Sequence, residues 1–210
     1  MEKAKVFEET YRHYLSQIAD IDYLARAEPL GAAVDGDALM IPLYDREYAV
    51  SADGIEGLAG SERQQAHDAV RVMLAKYVLM CPEEPVEESD RWVTYRDFRD
   101  AAPLVSYFTT NTNKTIENQF SGNLRALEQR CRELGGGPED NESFDLCFRF
   151  KALPRIPVKL QFNDADDMFP AACTVLYPES VKYYLDMECL SMTGTLLAGK
   201  LLKQRVGNAT

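Results

Sequence analysis

Histidine is scarce: the 210 residues contain two, His13 and His67, both on segments of helical periodicity. Without an HxH or HExxH pattern, a zinc centre has no local support, and neither does a Ser–His or Cys–His pair. Cationic excess is also missing. The 23 Lys and Arg against 34 Asp and Glu leave a net charge of −11, which excludes the counter-charge that nucleic acid and anionic membranes require. Cys81, Cys131, Cys147, Cys173 and Cys189 are odd in number and never form a CxxC pair. That usage fits buried, reduced thiols and excludes a disulfide framework, a zinc ribbon or an intrinsic iron–sulfur cluster. No run approaches the ~20 apolar residues of a membrane span, and the first residues do not read as a signal peptide. A cytoplasmic location is expected. GxGxxG, GxxxxGK[ST] and GxSxG are all absent. The run Gly135-Gly136-Gly137 follows a helix and precedes Pro138. A phosphate loop has the opposite order, so the run reads as a helix C-cap.

Folded-domain composition is present, with 46% hydrophobic and 27% charged residues. Phe7, Tyr11, Tyr14, Leu15 and Ile18 predict a helix over 4–19, and a second short helix starts near Asp20–Leu24. Leu39, Ile41 and Leu43, then Tyr48 and Val50, predict a hairpin of 38–44 and 47–52; Pro42 places its first strand at an edge. Ser61-Glu62-Arg63-Gln64 has the form of a capping box opening a helix that Pro82 ends. Segment 82–90, with five acids and two prolines, reads as an exposed acidic loop. Ile116, Phe120, Leu124, Leu127, Cys131 and Leu134 predict one helix over 115–134. Phe144, Leu146, Phe148 and Phe150 share one face of a strand that pairs with Val158, Leu160 and Phe162, and a third strand follows at 172–177. A short helix from 178 and a last one over 188–204 complete the chain. The expectation is an α+β fold, a mainly antiparallel sheet of about five strands against about five helices, in a single domain over 1–210.

The polar side of the 144–162 hairpin offers Arg149, Lys151 and Lys159, with Arg155 at its turn. This basic stripe can receive a carboxylated or phosphorylated ligand or an acidic partner, set against a plain solvated sheet face. Trp92, the one tryptophan, is a pocket-lining candidate as well as a core candidate. Asn163-Asp164-Ala165-Asp166-Asp167-Met168-Phe169-Pro170 gathers carboxylates at a strand end. Asp164, Asp166 and Asp167, with Glu188, are candidate oxygen ligands for Mg²⁺ or Ca²⁺ or a general base. The segment lacks the glycine and the distal glutamate of an EF-hand loop, and an Asx-rich turn is the ordinary alternative.

Five segments in order resemble one family: 92–98 (WVTYRDF), 134–136 (LGG), 153–158 (LPRIPV), 166–171 (DDMFPA) and 184–188 (YLDME). Together they are similar to domain-of-unknown-function family 3786 of anaerobic bacteria and archaea, over most of the chain. The family has no established activity, so the resemblance implies no catalytic residue. Some relatives are joined to a four-cysteine iron–sulfur domain like those of corrinoid proteins, a cysteine set this chain lacks. The resemblance therefore implies a setting in anaerobic corrinoid or C1 metabolism and an iron–sulfur or corrinoid partner protein. The leading expectation is an accessory or ligand-binding domain. Its cleft would be formed by Trp92, Arg149, Lys151, Arg155, Lys159 and Phe169, near the 154–157 turn and the 164–170 loop. A divalent-metal enzyme using the Asp164/Asp166/Asp167 loop and a protein-interaction module are the alternatives.

Overall fold

The computed structural model describes residues 2–59 and 62–203. Helix α1 (Glu2–Ala19) buries Tyr11 and Ile18, and the Tyr11 hydroxyl accepts the Ile55 N–H at 3.0 Å. A 3-10 turn (Leu24–Arg26) and α2 (Ala27–Leu30) follow, with Asp22 Oδ1 accepting the Ala25 N–H at the start. Strands β1 (Ala33–Asp35), β2 (Ala38–Leu43), β3 (Arg46–Val50), β4 (Ile55–Ala59) and β5 (Glu62–Gln65) form one antiparallel sheet in chain order. The edge placement inferred from Pro42 is corrected: β2 is internal, between β1 and β3. Proline is tolerated because the pairing with β1 ends at Met40, two residues earlier.

The helix expected from Ser61 starts later. Ser61 lies outside the described residues, Glu62–Gln65 is a strand, and α3 (Asp68–Leu79) is capped by His67, whose Nδ1 accepts the Ala69 N–H at 3.3 Å. Glu62, Arg63, Gln64 and Gln65 carry no apolar group to bury, so they serve as an exposed polar edge that suits the end of a sheet. Further on, α3 is buried on nearly every side, including Arg71.

The helix expected over 115–134 is two. After α4 (Val105–Phe108) and a π-helical turn (Thr109–Asn113), α5 (Lys114–Phe120) stops and α6 (Leu124–Glu133) restarts. The break is Gly122 at φ +74, a left-handed conformation that disfavours other residues. Strands β6 (Trp92–Thr94), β7 (Gly137–Pro138), β8 (Leu146–Leu153), β9 (Ile156–Asn163) and β10 (Ala172–Pro178) make a second antiparallel sheet, ordered β6-β10-β9-β8-β7. Phe148 faces Leu160 and Phe150 faces Val158 in register, and all four are buried. Phe144 is only half-buried and precedes the strand.

The α+β class and the antiparallel pairing stand, with the strands divided over two five-stranded sheets where one was expected. A contiguous core joins both sheets and is crossed by α7 (Met187–Leu202), whose Cys189, Leu190, Leu197 and Leu201 are buried. The β2–β3 turn ties the sheets together: the Tyr44 N–H donates to the Ala152 carbonyl at 2.9 Å and its hydroxyl to the Thr193 carbonyl at 2.8 Å. No helix among the described residues is long and apolar enough to cross a membrane.

Candidate functional site

Alternation along β8 turns Phe148 and Phe150 into the core and leaves Arg149 and Lys151 on the other face, with Lys159 opposite Arg149 on β9. Trp92 joins them from the far side of the sheet. The Lys159 Nζ lies 4.4 Å from the indole centroid and the Arg149 guanidinium carbon 5.4 Å, both within cation–π range. The acidic loop folds over the same face. Arg149 Nη2 donates to both Glu88 carboxylate oxygens at 2.7 and 2.6 Å, and Lys159 pairs with Glu139 at 2.8 Å. Two acids therefore neutralise two bases above one indole.

A cleft of about 610 Å³ opens beside this cluster where the two sheets meet. Tyr44 and Asp45 of the β2–β3 turn form one wall, the end of α6 with Gly137, Pro138 and Glu139 a second, and Arg149, Phe150 and Lys151 a third. The glycine run closes α6: the Gly135 N–H donates to the Arg132 carbonyl and the Gly136 N–H to the Cys131 carbonyl, each at 2.9 Å. This Schellman arrangement satisfies two of the last carbonyls of α6. Gly136 also lets the chain pass the Phe150 ring, since a Cβ there would lie 2.5 Å from it.

Most charges on these walls are already matched. Asp45 pairs with Lys200, Glu133 with Arg130, Glu139 with Lys159, and Arg149 with Glu88. Lys151 is exposed and forms no ion pair among the described residues. Tyr44 stands at φ +55, unusual for an aromatic residue, and burial pushes its hydroxyl pKa well above the ordinary tyrosine value.

The structure thus brings Trp92, Arg149 and Lys159 together, with Lys151 two residues along β8. Arg155 and Phe169 lie elsewhere. The 154–157 turn and the 164–170 loop occupy opposite ends of the β8–β9 hairpin, about 25 Å apart for strands of this length, so they do not share one cleft. Arg155 is a structural tie, its guanidinium donating to the Pro29 and Glu28 carbonyls at 3.0 Å each. Phe169 and Met168 are exposed at 63% and 80%.

In the same loop the carboxylates hold the backbone. Asp164 Oδ1 accepts the N–H groups of Gly122 (2.6 Å) and Ala165 (2.8 Å), and Asp166 Oδ1 those of Met168 and Phe169 at 2.7 Å each. Asp167 is exposed, as is Glu188, which sits in the first turn of α7. No group of three or more His, Cys, Asp or Glu side chains placed to hold a metal ion occurs among the described residues.

Sequence reasoning missed Tyr44, Asp45 and Glu139. The available signal for the first two was a two-residue hairpin turn, Tyr44-Asp45, that lacks the glycine or asparagine such turns favour. Comparison with curated proteins gives no match, and neither does comparison with solved structures. The family model described as Domain of unknown function (DUF3786) matches residues 22–200, and the chain belongs to that family.

Proposed function

We propose that this chain is a cytoplasmic accessory domain that binds a small carboxylated or phosphorylated molecule in the cleft between its two sheets. One observation carries the reading: on walls whose other charges are paired within the protein, Lys151 alone has no carboxylate partner among the described residues. A cleft of about 610 Å³ is of drug-sized volume. The Phe150 ring and Pro138 supply apolar surface, and the Lys151 ammonium supplies the charge that fixes an anionic end. The free thiols, four of them buried, support a reducing compartment.

Calorimetry with a panel of dicarboxylates, nucleotides, flavins and corrinoids tests the proposal. At least one anionic member of drug size binds, and Lys151→Gln weakens it roughly tenfold, about 1.4 kcal/mol. Binding that Lys151→Gln leaves unchanged, or a panel without a single ligand, overturns it. The corrinoid arm also decides whether the setting implied by the family resemblance reaches this cleft directly.

A further inference from the structure

The walls of the cleft between the sheets carry three acids, Asp45, Glu133 and Glu139, and two bases, Arg149 and Lys151. Each acid is paired with a base that stands outside the lining: Lys200, Arg130 and Lys159. Lys151 has no carboxylate partner among the described residues. Arg149 has one, and it is brought from elsewhere. Glu88, 61 residues away in the chain, belongs to the stretch between α3 and β6, which has no regular secondary structure.

That contact uses only part of the guanidinium. Both Glu88 oxygens meet Nη2, at 2.7 and 2.6 Å. Nη1 lies 4.0 Å from Glu139 Oε1, beyond hydrogen-bond reach. A carboxylate set across Nη1 and Nη2 would make the two parallel N–H bonds that Glu88 does not. Arg149 also keeps its place without Glu88, since it projects from β8, between β7 and β9, with the Trp92 ring 5.4 Å from its guanidinium carbon. Lys151 projects from the same face of β8, about 7 Å further along the strand. The cleft therefore offers two anion positions side by side, one open and one held by a mobile-length side chain of the protein itself.

We propose that Glu88 is a built-in competitor in this cleft and that the ligand is a dicarboxylic acid, one carboxylate on the Lys151 ammonium and the other displacing Glu88 from Arg149. This rests on the reading of the cleft as an anion site, and adds the second charge of the ligand and the residue that regulates its affinity. The competition is mild. Arg149 and Glu88 are each about two-fifths exposed, and such a pair forms with an equilibrium constant of roughly 1 to 5. Roughly a half to a sixth of the Arg149 side chains are then free of Glu88, and apparent affinity falls by the same factor.

The test is calorimetry on the full chain with succinate, glutarate and adipate, beside butyrate, valerate and hexanoate, the monoacids of matched length. At least one diacid binds, and its monoacid counterpart binds at least roughly tenfold more weakly. Glu88→Gln tightens that diacid roughly two- to sixfold. Arg149→Lys, which keeps the charge and loses the planar fork, weakens it roughly tenfold. The opposite signs are decisive, because an ion pair that merely shaped the surface would make both variants lose affinity. Both side chains are partly exposed, so neither variant threatens the fold. In the NMR spectrum the indole N–H signal of Trp92, the one tryptophan, moves on saturation with the diacid, since Arg149 lies over its ring. Absence of binding by all three diacids, equal binding of diacid and monoacid, Glu88→Gln that leaves or lowers affinity, or an unmoved Trp92 signal overturns the proposal. The anion site itself fails separately, only where the wider ligand panel also holds no anion whose binding depends on Lys151.

Discussion

Gly136 shows how tightly a single residue fixes the candidate site. A Cβ there would lie 2.5 Å from the Phe150 ring and 2.9 Å from the Cys131 carbonyl, whereas at Gly137 nothing lies within 4 Å. Phe150 is buried, and Cys131 O is already the acceptor that closes α6, so neither has room to retreat. Gly136→Ala is expected to lose about 1–3 kcal/mol through overpacking, while Gly137→Ala stays within about 0.5 kcal/mol of the parent, as exposed substitutions do. Urea denaturation of the two variants measures the difference, and equal midpoints would show that the closeness at Gly136 carries no energy. Tyr44 works the other way: its left-handed backbone is unfavourable for an aromatic residue. Two hydrogen bonds hold it, from its N–H to Ala152 and from its hydroxyl to Thr193.

At the scale of elements, the 82–90 segment is a strap. The Val86 N–H donates to the Tyr184 hydroxyl at 2.8 Å, the Ser89 N–H to Ser180 Oγ at 3.1 Å, and Glu88 grips Arg149. The Glu88–Arg149 pair is about two-fifths exposed on both sides, so it contributes little to global stability. The two amide bonds decide the strap's local stability. Tyr184→Phe keeps the ring and deletes the acceptor, so the Val86 amide is expected to exchange with solvent roughly tenfold faster while the Ile41 and Leu160 amides keep their rates. Hydrogen exchange by NMR checks this, and an unchanged Val86 rate would mean that the hydroxyl does not hold the strap.

Most of the 82–90 segment, including Glu83, Glu84, Glu87, Glu88 and Asp90, is exposed. Its anchors come from residues some ninety positions away, which no local pattern contains. Strands β8 and β9 were legible because one buried face imposes strict alternation on Phe148, Phe150, Val158 and Leu160. The break between α5 and α6 was hidden because Phe120 and Leu124 keep helical spacing across it. The interruption is held by Asp164 accepting the Gly122 N–H, a long-range contact. Trp92, Arg149 and Lys159 could each be named from sequence, but their stacking depends on the order β6-β10-β9-β8, which the sequence does not encode locally.

Across the whole molecule, charge and burial act on different pH ranges. Burial raises the thiol pKa of Cys131, Cys147, Cys173 and Cys189 above the ordinary value. In the unfolded chain these thiols ionise near pH ~8.5, while in the folded chain they stay protonated beyond that. Between the two values the unfolded state binds fewer protons, so stability falls as pH rises. The contribution is complete below pH ~8.5 and is lost progressively above it. Self-repulsion in a chain of net charge −11 acts in the same direction. Salt separates the two causes, because it screens surface repulsion and leaves the cost of ionising a buried thiol untouched. Urea midpoints at about 0.5 M salt are therefore expected to hold steady from pH ~7 to ~8 and to drop by pH ~10. Replacing Cys189 with Ala should make that drop shallower at the same salt. A drop that vanishes at high salt would assign the alkaline sensitivity to surface charge and remove the thiols from it.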